Sequence, residues 1–312
     1  MIMSIVVIGD VFVDVKGFPE DTYMPTGRNV GRIEFVHGGV ARNVVEDIAN
    51  MELRPTYIGI VDETPMGQEV LTKLKKHKVN CDYVLTAPDG MGMWLAVFDN
   101  NGDVAGSISK RPDASPMIEL LDTKGDEIFS QADSVVLQVD LHKDIVKRIF
   151  DYADKYNLKS YALVSNMSIA AERRDFLQKF DCFICNRQEA GLLFLDDYSN
   201  TSAADLEKIL ADKIQRANIH SMVVTLGKDG AVYATQEGLS GFCPARNVQV
   251  KDTTGAGDAF CAGVAAGLTY GKTLSEAVVI GTHLAASVIT SAENVCPRFR
   301  PEELGIDFPE DA

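Results

Sequence analysis

The chain has 312 residues, 46% of them hydrophobic, and a formal net charge of −15. That length exceeds the usual single-domain size, yet α/β folds often run this long as one domain around a large core. The acidity counts against nucleic acid or an anionic membrane as partner, since both need a basic face, but it leaves room for an anionic ligand held by backbone N–H groups.

Residues 4–8 form a short β-branched run that stops at Gly9-Asp10, which predicts a first core strand. No basic leader region precedes it, and no apolar run reaches the ~20 residues of a membrane span, so a cytoplasmic chain with no membrane partner is expected. Residues 11–36 carry no helical pattern. Residues 39–51 place Val40, Val44, Ile48 and Met51 at helical spacing, and residues 56–61 and 67–76 read as a strand and a helix. Residues 91–109 again lack a helix. They read as a hairpin turning at Asp99-Asn100-Asn101-Gly102, because Asn-Gly supplies the positive φ of a tight turn. Strands inserted from about 11–36 and 91–109 predict a small β-sheet lid able to cover a site and exclude water. Edge decoration of a larger sheet is the alternative.

Further strands are expected at 134–139, 160–164, 182–185 and 221–225, alternating with helical stretches at 143–155, 171–179 and 204–216. That alternation implies βαβ units and a mostly parallel sheet in a single domain covering 1–312. Residues 259–270 and 274–290 are rich in Ala and Gly at helical spacing and read as two closely packed helices. The six cysteines are scattered. Cys182 and Cys185 form a C-x-x-C, but they lie on an expected strand, where residues three apart face opposite ways, and no second pair completes a metal site. They read as reduced core thiols.

Four motifs sit where strands or turns meet helices. The first is Lys251-Asp252-Thr253-Thr254-Gly255-Ala256-Gly257-Asp258-Ala259-Phe260, between a β-like run at 248–251 and a helix. Small residues at 255–257 let backbone approach a ligand, and a helix N-terminus offers orphan N–H donors to an anion. Asp258 falls in the first turn, beside that anion. A carboxylate there serves either as a base for an attacking hydroxyl or as a partner for the helix dipole, and local chemistry alone does not separate the two. The second motif is His37-Gly38-Gly39-Val40-Ala41-Arg42-Asn43, where Asn43 brings both a donor and an acceptor to a helix start. The third is Asn186-Arg187-Gln188-Glu189, which reads as a capping box or as a holder of hydrated Mg²⁺ near phosphates. The fourth, Thr225-Leu226-Gly227-Lys228-Asp229-Gly230, ends a strand in a loop that could face a nucleotide.

In this order and spacing the four motifs resemble those of the ribokinase-like (PfkB) carbohydrate kinases, over about residues 4–297. The resemblance implies a three-layer α/β sandwich with a mostly parallel central sheet, a β-sheet lid that mediates homodimerisation, and ATP with Mg²⁺ as phosphoryl donor. It implies Asp258 as catalytic base, with the backbone of Gly255, Ala256 and Gly257 as anion hole. Asp14, Gly38, Gly39 and Asn43 match substrate-binding positions, and Asp140 stands where many members have a glutamate. Asn186 and Glu189 match the Mg²⁺ and phosphate motif. Thr225, Gly227 and Gly230 match the ATP loop, and His283 falls where members line the adenine pocket. Asp252 and Thr254 match positions that hold a monovalent cation such as K⁺ in some members.

The substrate is less legible. Gly38-Gly39-Val40-Ala41-Arg42-Asn43 followed by Glu46 is similar to pseudouridine kinases, which favours a nucleoside, with a ribose- or fructose-type sugar as alternative. Arg42 either pairs with a carboxylate on its helix or positions a polar base. A non-catalytic sugar or nucleotide sensor on the same fold is a further alternative. A nicotinamide-dependent oxidoreductase is discounted, because the first strand ends in Gly9-Asp10-Val11-Phe12 and not in a dinucleotide fingerprint.

Overall fold

The computed structural model describes residues 3–307, so both ends of the expected domain lie outside the described residues. In chain order the first strands are β1 (Ile5–Ile8), β2 (Val11–Pro19) and β3 (Gly31–Gly38), followed by helix α1 (Val40–Asn50). Then come β4 (Thr56–Val61), α2 (Pro65–Lys76), β5 (Asn80–Thr86), β6 (Met91–Phe98) and β7 (Val104–Lys110). The middle of the chain builds α3 (Pro116–Phe129), β8 (Ser134–Gln138), α4 (Lys143–Tyr156), β9 (Lys159–Leu163), α5 (Met167–Ala171) and α6 (Arg174–Leu177). It continues through β10 (Cys182–Asn186), α7 (Arg187–Phe194), α8 (Ala203–Ala217), β11 (Ser221–Thr225), β12 (Ala231–Thr235) and β13 (Ser240–Cys243). Helices α9 (Ala256–Thr269) and α10 (Leu274–Ile289) follow.

The larger sheet has nine strands in the order β13-β12-β11-β10-β9-β8-β1-β4-β5. Pairing is parallel from β11 across to β5, and β12 and β13 add antiparallel at one edge. Both faces are covered, so the strands read as continuous apolar runs. Core side chains from α1, α2, α9 and α10 pack on one face, and those from α3 to α8 on the other. Alternation along β10 shows the division: Cys182 and Ile184 face the first layer, Phe183 and Cys185 the second. All six cysteines are buried and free, as the sequence predicts. No helix among the described residues is long and apolar enough to cross a membrane.

Two expected elements differ. Residues 171–179 do not form one helix. They break into α5 and α6 at Arg173, whose guanidinium turns inward to donate to the carbonyl oxygens of Val139 and Leu141. Residues 248–251 are not a strand; the last strand of the sheet, β13, ends at Cys243. The Lys251 N–H instead donates to the Ile289 carbonyl at 2.7 Å. Strands β5, β12 and β13 and helix α3 are additions that periodicity did not predict.

The second sheet has four strands in the order β3-β2-β6-β7. It is two antiparallel hairpin-like pairs joined by a parallel β2–β6 seam. Register sorts its side chains cleanly. Asp14 lies level with Val36 and Trp94 on one face, while Val15 lies level with Phe35 and Leu95, and Leu95 with Ile108, on the other. That second face carries large exposed apolar groups, with Phe35 at 62% and Ile108 at 70% of full exposure.

Helices α9 and α10 meet with almost nothing between them. A methyl group on Gly263 would stand 2.7 Å from the Gly281 Cα, and one on Gly281 would stand 2.7 Å from the Phe260 carbonyl oxygen.

Candidate active site

In an open α/β sheet, ligands gather at the carboxyl ends of the strands where the strand order reverses. Here the order reverses at β1, with β4 on one side and β8 on the other. Gly9-Asp10 leave β1 there, and Asp140 follows β8. The motif residues on α1 and α9 collect over the same end.

Gly39 starts α1 at φ +95°, a conformation that L side chains avoid, and a Cβ on it would lie 2.6 Å from the Asp10 carbonyl oxygen. That close approach seats the Gly38-Gly39 turn on the end of β1. A methyl on Gly38 would lie 2.7 Å from the Asp14 Oδ1, so bare backbone faces the carboxylate. One turn into α1, the buried Asn43 donates from Nδ2 to the Asp258 Oδ2 at 2.6 Å. The amide orientation is fixed from behind. Asn294 Nδ2 donates to the Asn43 Oδ1 at 3.3 Å and to the His37 carbonyl at 2.8 Å. Sequence reasoning did not find Asn294, because it lies in an irregular segment after α10 with no pattern of its own.

Asp258 sits in the first turn of α9. Its carboxyl is pushed up to about 6, first by desolvation and then by the Asp14 and Glu189 charges, against the Asn43 hydrogen bond and Arg42, which pull it down. Burial likewise raises Asp14. Two carboxylates held near one another in a cleft form the environment that sets up a base. Gly255 caps α9 at φ +80°, and a Cβ there would fall 2.0 Å from the Asn294 carbonyl oxygen. Among the small residues, the Ala256 N–H already donates to Thr253 at 3.3 Å. This helix start is where the sequence places the anion hole of Gly255, Ala256 and Gly257. Just before it, the Asp252 carboxylate accepts from the Thr254 N–H at 2.8 Å, which holds that carboxyl below its ordinary range.

A cavity of about 680 Å³ opens on the other side of the same helix start. Thr253, Ala256 and Gly257 are among its lining residues, as are Asn186, Thr225, Gly227 and Gly230, with Thr282, Ala285 and Ile289 from α10. The cavity is mostly apolar with a few polar groups, the usual make-up of a small-molecule site. Residues 282, 285 and 289 form one stripe of α10. His283 lies off that stripe and packs edge-on against Phe299 at 5.2 Å, so it is not among the residues lining the cavity. Asn186 and Glu189 make a complete capping box: Asn186 accepts from the Glu189 N–H, and Glu189 accepts from the Asn186 N–H at 2.7 Å. Desolvation raises the Glu189 carboxyl.

Arg42 is fully buried. It pairs with Glu46 at 2.6 Å and donates to the carbonyl oxygens of Gly38 and His37, so it braces α1 and the glycine turn from inside. Asp140 is also tied down, accepting from the Ser165 N–H at 3.0 Å and the Ser165 hydroxyl at 2.7 Å. Trp94, level with Asp14 on the same face of the small sheet, was not singled out in the sequence.

A buried carboxyl at a glycine-rich helix start that also borders a mostly apolar cavity is an arrangement that suits phosphoryl transfer. A model of the pfkB family carbohydrate kinases matches residues 3–295. The chain belongs to the pfkB carbohydrate kinase family. Kinases of this family are phosphotransferases that act on hydroxyl groups of sugars or nucleosides, and ATP use is expected of them. The guanosine-inosine kinase of Exiguobacterium acetylicum is 37% identical over 293 residues, covering 93% of this chain and 96% of that one. The pseudouridine kinase of Escherichia coli K12 is 25% identical, over 88% of this chain and 86% of its own. The ribokinase-like fold is shared with the Arabidopsis thaliana ribokinase solved with ribose and ATP, at a TM-score of 0.81 and 19% identity over 99% of this chain and all of that one.

Proposed function

We propose that this pfkB kinase transfers the γ-phosphate of ATP to the hydroxymethyl group of a purine nucleoside of the guanosine–inosine kind. The observation that carries the kinase chemistry is the 2.6 Å Asn43–Asp258 contact at the start of α9, where the large cavity ends. The substrate choice draws on the 37% relative over nearly the whole chain. Pseudouridine, favoured in the sequence by Gly38 to Asn43 with Glu46, stays the alternative; Arg42 and Glu46 pair with each other in the interior, so that pair adds no contact to a base.

The reaction follows from the site. The nucleoside hydroxymethyl points at Asp258, held by Asp14 and the Gly38-Gly39-Asn43 turn. Asp258 takes the hydroxyl proton as the oxygen bonds to the γ-phosphorus. The bond from phosphorus to the bridging oxygen breaks, and its electron pair leaves with ADP. The Gly255 and Gly257 N–H groups face the charge gathering on the phosphoryl oxygens. Asn186, Thr225, Gly227 and Gly230 hold ATP in the cavity. Among the described residues no three or more acidic, His or Cys side chains gather as a metal cage. Mg²⁺ would therefore be held chiefly by the phosphates, with Glu189 reaching it through water, and would neutralise phosphate charge there. A K⁺ ion beside Asp252 and Thr254 belongs to the same proposal. The small sheet acts as a lid, its Asp14 face toward the substrate.

The test is ATP consumption with guanosine, inosine, pseudouridine, ribose and fructose, on the parent protein and on Asp258→Asn. The substitution should keep nucleoside binding and lower turnover by roughly 10²–10⁴-fold, the usual contribution of a positioned base. Turnover near that of the parent would overturn the assignment of Asp258. Silence of the parent across the panel, with ATP still bound, would favour a sensor.

A further inference from the structure

A second cavity, of about 330 Å³, opens at the ends of β1 and β8. Asp10, Arg111, Ile118, Asp140, Leu141 and Arg173 are among the residues that line it. It adjoins the substrate cleft through Asp10, the residue on whose carbonyl Gly39 is seated. Its charges are not equally committed. Asp10 and Asp140 share the Gln138 amide, and Asp140 is further tied to Ser165. Arg173 is bound to the Val139 and Leu141 carbonyls. Arg111 is the exception. Its contacts with Asp140 are 3.4 and 3.5 Å, at the outer edge of hydrogen bonding, and its side chain is about half exposed, at 45%. It stands directly after β7, where the small sheet joins the body of the molecule.

Resting on the purine-nucleoside reading above, we propose that this cavity receives the base and that Arg111 selects a 6-oxopurine. A 6-oxopurine presents two adjacent acceptors, O6 and N7, which match the guanidinium fork. A 6-aminopurine places an N–H₂ donor where O6 would be, against a group that can only donate. Ile118 and Leu141 give the ring faces apolar contact. The half-exposed guanidinium has five N–H donors, so it can turn a free pair to the base while staying near the buried Asp140, which also keeps Ser165 as partner. Arg111 is thus a specificity-determining residue, separate from the phosphoryl-transfer machinery.

The experiment compares kcat/KM for inosine, adenosine and ribose in the parent, Arg111→Met and Arg111→Lys. The methionine variant should lose roughly 10- to 100-fold on inosine, the range of one bidentate contact, and little on adenosine or ribose, so that the inosine preference collapses. The lysine variant, with a charge but no fork, should recover only part of it. A uniform loss on all three substrates, or an unchanged inosine preference, would overturn the base subsite while leaving the kinase reading intact. A parent protein that phosphorylates ribose but no purine nucleoside would overturn the substrate reading and this proposal with it.

Discussion

Asp258 shows how a single side chain acquires chemistry from its surroundings. Its folded pKa of about 6 lies above the 3.8 of a free aspartate, so the folded chain holds the proton more tightly than the unfolded chain. Two outcomes follow. As a base it must be ionised, so kcat/KM should climb with pH up to about 6 and then level off; a profile already flat from pH 4.5 would remove Asp258 from that role. For stability the sign is opposite. The contribution of the bound proton is present below pH 3.8 and is lost as pH rises through about 6. Asp258→Asn should therefore melt a few degrees above the parent at pH 8, with the gap closing near pH 4, which a pair of thermal melts would check. The place of such a residue was legible because glycines and an acid at a helix start carry a local signal, while its reading as a base came from the family resemblance. Arg42 was legible only as two alternatives, since the sequence allows its i, i+4 partner Glu46 but does not say that both are buried. Asn294 had no signal, as its work is to orient another side chain across 251 positions of sequence.

At the scale of elements, the site is a property of helix starts more than of helices. Gly255 matters to the proposed site because its φ of +80° and the Asn294 carbonyl beside it fix how α9 begins. Gly255→Ala would have to hold that left-handed conformation, which costs an L residue roughly 1–2 kcal/mol, and its Cβ would also press on the Asn294 carbonyl. It should lower both the melting temperature and kcat/KM, the latter by roughly 10²-fold, the order expected when one oxyanion donor is misplaced. Parent-like turnover in a stably folded variant would mean that the turn is not what positions the phosphoryl group. The failures of prediction are matters of tertiary context. Residues 248–251 carry β-like side chains, but Val248 and Val250 line the cavity and the Lys251 N–H goes to the Ile289 carbonyl, so the run joins no sheet. His283 has the right neighbourhood in sequence, yet it is one residue out of phase with the stripe of α10 that faces the cavity.

At the scale of the molecule, alternating strands and helices made the sandwich and its parallel sheet readable, because both depend on periodicity. Strand order and the exposed face of the second sheet were not, since register is set by pairing between distant segments. That face bears Ile33, Phe35, Leu95 and Ile108 uncovered, more apolar surface in one place than a lone subunit has use for. A second copy of the chain docking there would cover it. Light scattering should find a dimer that Phe35→Glu combined with Ile108→Glu converts to a monomer, and a monomeric parent would rule the dimer out. A last consequence belongs to the contact of Gly263 with Gly281. Side chains normally act as cushions between helices, absorbing a displacement by changing rotamer. Here backbone bears on backbone, so no rotamer can take up a shift at this crossing. Under the proposed donor site, a purine ring pressing on the 282–289 wall would therefore be felt along α9 rather than lost between the two helices.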